Sequence, residues 1–282
     1  MKRIALALAT LSAPALAQPA VDVARTEVAS PVSPSKIILV GDSTTSVGSG
    51  WGSVFCAERV THAAACLNLA RAGRSTSSYR AEGSWAIAMA EAKVPGYRQT
   101  FVLIQFGHND QPGKPGRTTD LRTEFPANLA RFVDEVRQAG AMPVLITPLT
   151  RRKWKDGKLE RDLADYSAAV RQVASERKVP LLDLNARSTA IIEAMGPAVQ
   201  NLVAGAPAPA EIGAAASIER VTLPSSTGAP VPASSGIAQR TARTGRTFDY
   251  THLGSAGSSL FAAVIADELV RLVPEARPLV SP

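Results

Sequence analysis

Three histidines occur in the chain, and one of them has a carboxylate placed to orient it. His252 follows Asp249 by three residues in FDYTHLGSAG, just before the last apolar helical stretch. A D-x-x-H turn can set the carboxylate against the ring's Nδ1 and leave Nε2 facing outward, as a general base requires. His62 sits in a helical stretch with no acid nearby in sequence and reads as a surface or core histidine. His108, in FGHND (106–110), can act as a base, contact a substrate or brace its own loop.

A base of this kind needs something to activate. Ser43, in GDSTT (41–45), is the candidate nucleophile, because a serine hydroxyl attacks only once its proton has somewhere to go. The oxygen that gains charge during acyl transfer then needs donors aimed at it. The backbone N–H of Ser43, the backbone N–H of Gly73 and the side-chain amide of Asn109 qualify. Gly73 suits the task since glycine lets the main chain come close. Taken alone, Ser43 would read as a helix cap or a turn residue, and Asp110 as a turn former. Gly48, Gly50 and Gly52 are spaced G-x-G-x-G, wrong for a dinucleotide fingerprint, and read as a flexible turn.

What makes these residues a constellation is their position. Short apolar runs at KIILVGD (36–42), CLNLA (66–70), TFVLIQFG (100–107), MPVLITP (142–148) and VPLLDL (179–184) read as strands. Helical patterns are expected over 51–64, 82–93, 124–139, 159–177, 186 to about 203, and about 255–272. The stripe Phe125, Leu129, Phe132, Val133, Val136 is the clearest of them, and Gly140 is placed to end that helix. The segment RAGRSTSSYR (71–80) reads as a polar turn. Alternation of this kind predicts an α/β fold with a five-stranded parallel sheet in a flavodoxin-like three-layer α/β/α sandwich. In such sheets reactive groups gather at the carboxyl ends of the strands. Four such ends carry polar clusters: Gly41–Thr45, Ala72–Ser75, Gly107–Asp110 and the loop Thr150–Lys155.

These blocks, GDSTT (41–45), NLARAGRSTSSYRAEG (68–83), FGHND (106–110) and DYTHLGSAG (249–257), resemble the SGNH hydrolases, also called the GDSL family. Within that superfamily the resemblance points to the rhamnogalacturonan acetylesterases, carbohydrate esterase family 12, and covers about residues 36–275. It implies the SGNH hydrolase fold and metal-free removal of acetyl groups from pectic polysaccharide. By the same likeness Ser43 is the nucleophile, Asp249 and His252 complete the triad, and Ser43, Gly73 and Asn109 form the oxyanion hole. The stretch at 204–247 is longer and richer in Ala and Pro than that group's pattern, and Tyr250 stands between the catalytic pair.

Composition sets the remaining expectations. MKRIALALATLSAPALA (1–17) has a basic start, an apolar stretch too short to span a bilayer comfortably, and an Ala-Leu-Ala cleavage pattern, so cleavage is expected before Gln18 and export to the periplasm or medium with it. Residues 18–35 read as a linker, and 36–282 as a single domain with an irregular loop at about 204–247. Without residues 1–17 the formal charge falls from +7 to +5, since Lys2 and Arg3 leave with them. Cys56 and Cys66 would pair in an oxidising compartment, the competing reading being two thiols that never meet. No cofactor or metal is expected: there is no C-x-x-C and no H-E-x-x-H.

The expected partner is an acetylated polysaccharide. Nucleic acid and membrane insertion are not expected, and a monomer is. Arg74, Arg151, Arg152, Lys153 and Trp154 are candidates for a basic, partly aromatic rim that grips an anionic sugar chain, a solvated basic loop being the plainer reading. Two rival functions remain at this stage. One is a lipase, lysophospholipase or thioesterase using the same site on longer acyl chains; the other is a polysaccharide-binding protein without catalysis.

Overall fold

Strands without polar alternation need cover on both faces. The computed structural model, which describes residues 33–225 and 247–282, provides it. The strands are β1 (Ser35–Gly41), β2 (Ala64–Asn68), β3 (Thr100–Gln105), β4 (Met142–Ile146), a short antiparallel ribbon of β5 (Trp154–Lys155) and β6 (Lys158–Leu159), and β7 (Leu181–Leu182). Five of them form one sheet in the order β2-β1-β3-β4-β7, with every neighbouring pair parallel. This is the flavodoxin-like order anticipated from the alternation, and it places a topological switch between β1 and β3.

Side chains alternate across the sheet with period two. Ile37, Leu39, Phe101, Leu103, Val144 and Ile146 enter one core, and Ile38, Val40, Val102, Ile104 and Leu145 the other. The helices are α1 (Gly52–Val54), α2 (Thr76–Ala81), α3 (Ser84–Ala92), α4 (Glu124–Gln138), α5 (Ala164–Arg177), α6 (Leu184–Val199), α7 (Ala210–Ile218) and α8 (Ser255–Leu272). Phe261, Ile265 and Leu269 of α8 join the first core, with Leu184 and Ile192 of α6. The second is closed by α3, α5 and the whole predicted stripe of α4, from Phe125 to Val136. The three layers follow from that division.

Four local expectations are corrected. Helix 51–64 shrinks to α1 and a π-turn, Phe55–Arg59, because Val60 and Thr61 are drawn into contacts with the C-terminal segment at Val280 and Leu279. The polar turn 71–80 contains α2, capped by Ser75, whose hydroxyl and backbone exchange hydrogen bonds with Ser78. That is a capping box with Ser in place of the usual acid or amide. The helix expected from 159 begins at Ala164, since Asp156 and Gly157, both at positive φ, turn β5 back into β6. Inside the stretch read as an irregular loop, Ala210–Ile218 is helical, in keeping with alanine's high helix propensity.

The expected leader at 1–17 and residues 226–246 of the long loop lie outside the described residues. Of the 18–35 linker, residues 33–35 are described, and Ser35 already belongs to β1. Cys56 and Cys66 are joined by a disulfide, with Cα atoms 5.4 Å apart, which ties the π-turn to β2. Among the described residues no helix is long and apolar enough to cross a membrane.

Candidate active site

At the carboxyl end of β1 the chain turns sharply on Asp42. Its Oδ1 accepts the N–H and the hydroxyl of Thr44, both at 2.8 Å, and its carbonyl accepts the N–H groups of Thr45 and Ser46. The buried amide of Gln105, at the end of β3, locks the same turn: Oε1 accepts from Thr45 and the Trp51 indole, and Nε2 donates to Thr44. Gly50 is therefore no flexible joint. A Cβ there would lie 2.1 Å from the Thr44 carbonyl oxygen, so only glycine admits the close approach of the returning chain. The result is a rigid shelf that presents Ser43.

The preceding turn of α8 supplies the other half. His252 Nε2 lies 2.9 Å from Ser43 Oγ, across a sequence separation of 209. Its Nδ1 lies 2.7 Å from Asp249 Oδ2, while Asp249 Oδ1 accepts the backbone N–H of Thr251 and of His252 itself, each at 2.7 Å. An ionised carboxylate only accepts, so Nδ1 carries the ring proton and Nε2 offers its lone pair to the serine hydroxyl. Burial works against ionisation of Asp249. The hydrogen bond and charge of His252 and the two backbone N–H groups outweigh it and hold the carboxyl at about 2.

The three expected oxyanion donors come from neighbouring strand ends. Gly73, with φ +81, turns the chain beyond β2, and Asn109 follows β3. Asn109 Nδ2 donates one hydrogen to the Arg74 carbonyl at 3.1 Å, which leaves the other hydrogen of the amide for a ligand. Arg117, which carried no signal in the sequence, reaches both donors: its Nη1 lies 3.2 Å from the Gly73 carbonyl and 3.5 Å from Asn109 Oδ1. It stands in a Gly- and Pro-rich loop that reads simply as surface. Asp110 fastens the same two loops. Its Oδ1 accepts the N–H and hydroxyl of Thr76 at 3.0 and 2.6 Å and the hydroxyl of Thr119 at 3.0 Å. Burial, partly offset by those bonds, pushes the Asp110 carboxyl up to about 6.

His108 is buried, with Nδ1 3.4 Å from Asp42 Oδ2 and neither ring nitrogen hydrogen-bonded among the described residues. Burial pushes its pKa below the usual histidine value, against the attraction of the Asp42 carboxylate. Asp42 is held below the ordinary carboxylate range: burial opposes its ionisation, and the imidazole and the Thr44 donors prevail. His108 thus sits under the nucleophile turn rather than at the mouth of the site.

The expected basic rim is also corrected. Arg152 and Trp154 are 1% and 6% exposed, and Trp154 Nε1 donates to Gln200 Oε1 at 2.8 Å. Arg151 is buried against Asp162 and Gln111, with bonds of 2.6 and 2.7 Å. Arg74 pairs with Glu82 at 2.7 Å. Lys153 is the member of that set left facing solvent. Arg151 and Arg152 find carboxylate, amide and carbonyl partners inside the fold, and sequence does not show that competition.

A hydroxyl, an imidazole and a carboxylate bonded in series at the carboxyl edge of a parallel sheet define a serine hydrolase that works by acyl transfer. The sequence profile of the GDSL-like lipase/acylhydrolase family matches residues 39–205, and the chain belongs to that family. It is similar to rhamnogalacturonan acetylesterase RhgT of Bacillus subtilis (strain 168), at 38% identity over 172 residues, 58% of this chain and 71% of RhgT. Among solved structures, protein YxiM of Bacillus subtilis superposes with TM-score 0.57 at 22% identity, covering 86% of this chain and 57% of that longer one. A catalytic variant of Axe2, an acetylxylan esterase from Geobacillus stearothermophilus, gives TM-score 0.52 at 16% identity, covering 84% and 94%. These two likenesses show the fold.

Proposed function

We propose that this chain is an exported acetylesterase that removes O-acetyl groups from plant cell-wall polysaccharide, with acetylated rhamnogalacturonan as the favoured substrate. The observation that carries the reading is the single imidazole bonded at once to Ser43 and Asp249. RhgT is named for action on rhamnogalacturonan, which supports the choice of polymer. The Cys56–Cys66 disulfide supports export, since such bonds persist in oxidising compartments.

In the reaction His252 Nε2 takes the Ser43 proton as Oγ attacks the acetyl carbon. Charge on the tetrahedral oxygen falls to the N–H groups of Ser43 and Gly73 and the free amide hydrogen of Asn109. Collapse expels the sugar oxygen, which receives the proton from His252. Water then gives its proton to the same nitrogen and attacks the acetyl carbonyl, releasing acetate and restoring the Ser43 hydroxyl. Asp249 stays ionised throughout and steadies the imidazolium.

Acetate release from a panel of acetylated polysaccharides tests the proposal, with Ser43→Ala as control and p-nitrophenyl esters from acetate to decanoate alongside. Release from rhamnogalacturonan, lost in Ser43→Ala and confined to short acyl groups on the small esters, is expected. Equal or better rates on octanoate and decanoate would move the assignment to a lipase or thioesterase. Sequencing of the exported protein tests the leader: the mature chain should begin at Gln18.

A further inference from the structure

We infer that Arg152 is the positioning residue of the acid–base turn, holding His252 in line with Ser43 through the backbone rather than through substrate. The inference rests on the proposed triad. All four carbonyls of the turn Asp249–His252 accept hydrogen bonds from this one residue. Arg152 Nη2 donates to Asp249 at 2.9 Å and to His252 at 3.0 Å, Nη1 donates to Thr251 at 3.4 Å, and the Arg152 backbone N–H donates to Tyr250 at 2.9 Å. The Asp249 carboxylate meanwhile takes the N–H groups of Thr251 and His252. The turn therefore has its acceptors satisfied from one side and its donors from the other.

Arg152 is 1% exposed, and its guanidinium makes no ion pair among the described residues. Burying a cation without a bonded carboxylate is unfavourable even after relaxation, and an apolar side chain of similar volume would avoid that cost. Desolvation accordingly draws Arg152 down to about 10, with the nearby Asp249 charge working the other way, so it remains protonated at neutral pH. Arg152 is itself held in place. Its carbonyl accepts Gln200 Nε2 at 2.7 Å, and Gln200 Oε1 accepts the Trp154 indole at 2.8 Å. A planar fork reaches three diverging carbonyls at once, which the point charge of lysine cannot do. Letting the turn drift by about 1 Å would cost on the order of 100-fold in rate.

The test uses the full mature protein and Arg152→Met, Arg152→Lys and Arg152→Ala, with competent sites counted by fluorophosphonate labelling of Ser43 and folding followed by thermal unfolding. Labelling of Ser43 in the unaltered protein, located by mass spectrometry, checks the triad separately. For folded Arg152→Met, kcat per site on p-nitrophenyl acetate should fall about 100-fold with KM within about twofold. Arg152→Lys should fall in between, and millimolar guanidinium chloride should restore part of the kcat of Arg152→Ala. A kcat per site within about threefold of the unaltered enzyme in folded Arg152→Met would overturn the inference. So would a loss expressed wholly in KM, full kcat in Arg152→Lys, or failure of all three variants to fold, which would make the residue structural only.

Discussion

A single carboxylate fixes both the backbone and the ring of one histidine: Asp249 binds the N–H of His252 through Oδ1 and its Nδ1 through Oδ2, each at 2.7 Å. The backbone contact decides where the ring starts, and the ring contact decides which nitrogen faces Ser43. Replacing Asp249 by Asn separates the two functions, because the amide oxygen can keep the backbone bonds while the NH2 faces Nδ1. The ring would then present its lone pair inward and its proton to Ser43, the wrong tautomer for a base. We predict a fall in kcat of about 10³- to 10⁴-fold on p-nitrophenyl acetate with KM little changed. A loss of less than tenfold would mean that Asp249 does not orient the base. With its carboxyl held at about 2, Asp249 contributes stability above its ordinary value of 3.8, and loses it as pH falls through about 2. Acid unfolding below pH 4 should therefore be less steep in Asp249→Asn.

The oxyanion donors give a second, graded prediction. Asn109→Ala removes a donor outright and should cost about 10²- to 10³-fold in kcat. Arg117→Met removes only the group that lies against Gly73 and Asn109, so a smaller loss, roughly tenfold, is expected with unchanged thermal stability. Steady-state kinetics on one acetyl ester checks both. An Arg117→Met enzyme as slow as Asn109→Ala would show that the guanidinium itself meets the developing charge.

The order of strands and the Ser43, Asp249, His252 series were legible because each leaves a local mark. Buried strands write continuous apolar runs, and the acid and base of this site lie three residues apart. Residues whose work is done at long range were harder to read. Arg152 and Trp154 read as members of a sugar-gripping rim, since a sequence does not say that four carbonyls and a glutamine will surround them. Arg117 and Gln105 left no mark, because their partners are contributed by other strand ends. Helix 51–64 is cut short for the same reason: its composition is helical, but the C-terminal segment claims Val60 and Thr61.

The disulfide supplies a prediction about stability without one about rate. Cys56 and Cys66 close a loop of sequence separation 10, and neither touches the triad by a hydrogen bond. Loop-closure entropy for that length gives on the order of 2–3 kcal/mol. The Cys56→Ser, Cys66→Ser double variant should unfold at a lower temperature and keep kcat at 25 °C. A drop in kcat with unchanged unfolding temperature would contradict this and tie the bridge to the site.

Asp110 offers the sharpest test of the site's electrostatics, because its shift runs opposite to that of Asp249. Three donors crowd its Oδ1, while Oδ2 is buried without a partner among the described residues and Asp42 adds a second negative charge nearby. With the folded carboxyl raised from 3.8 to about 6, the folded protein binds this proton more tightly than the unfolded chain does. Stability from this group is therefore full at low pH and declines as pH rises from about 4 to 6, a loss on the order of 3 kcal/mol. Asp110→Asn keeps the oxygen that holds Thr76 and Thr119 but carries no charge. Urea unfolding of the two proteins at a series of pH values should give similar stabilities near pH 3.5 and a more stable variant at pH 7, with kcat retained. A variant that is the weaker protein at pH 7, with the same pH slope as the unaltered one, would show that the charge of Asp110 is needed where it lies.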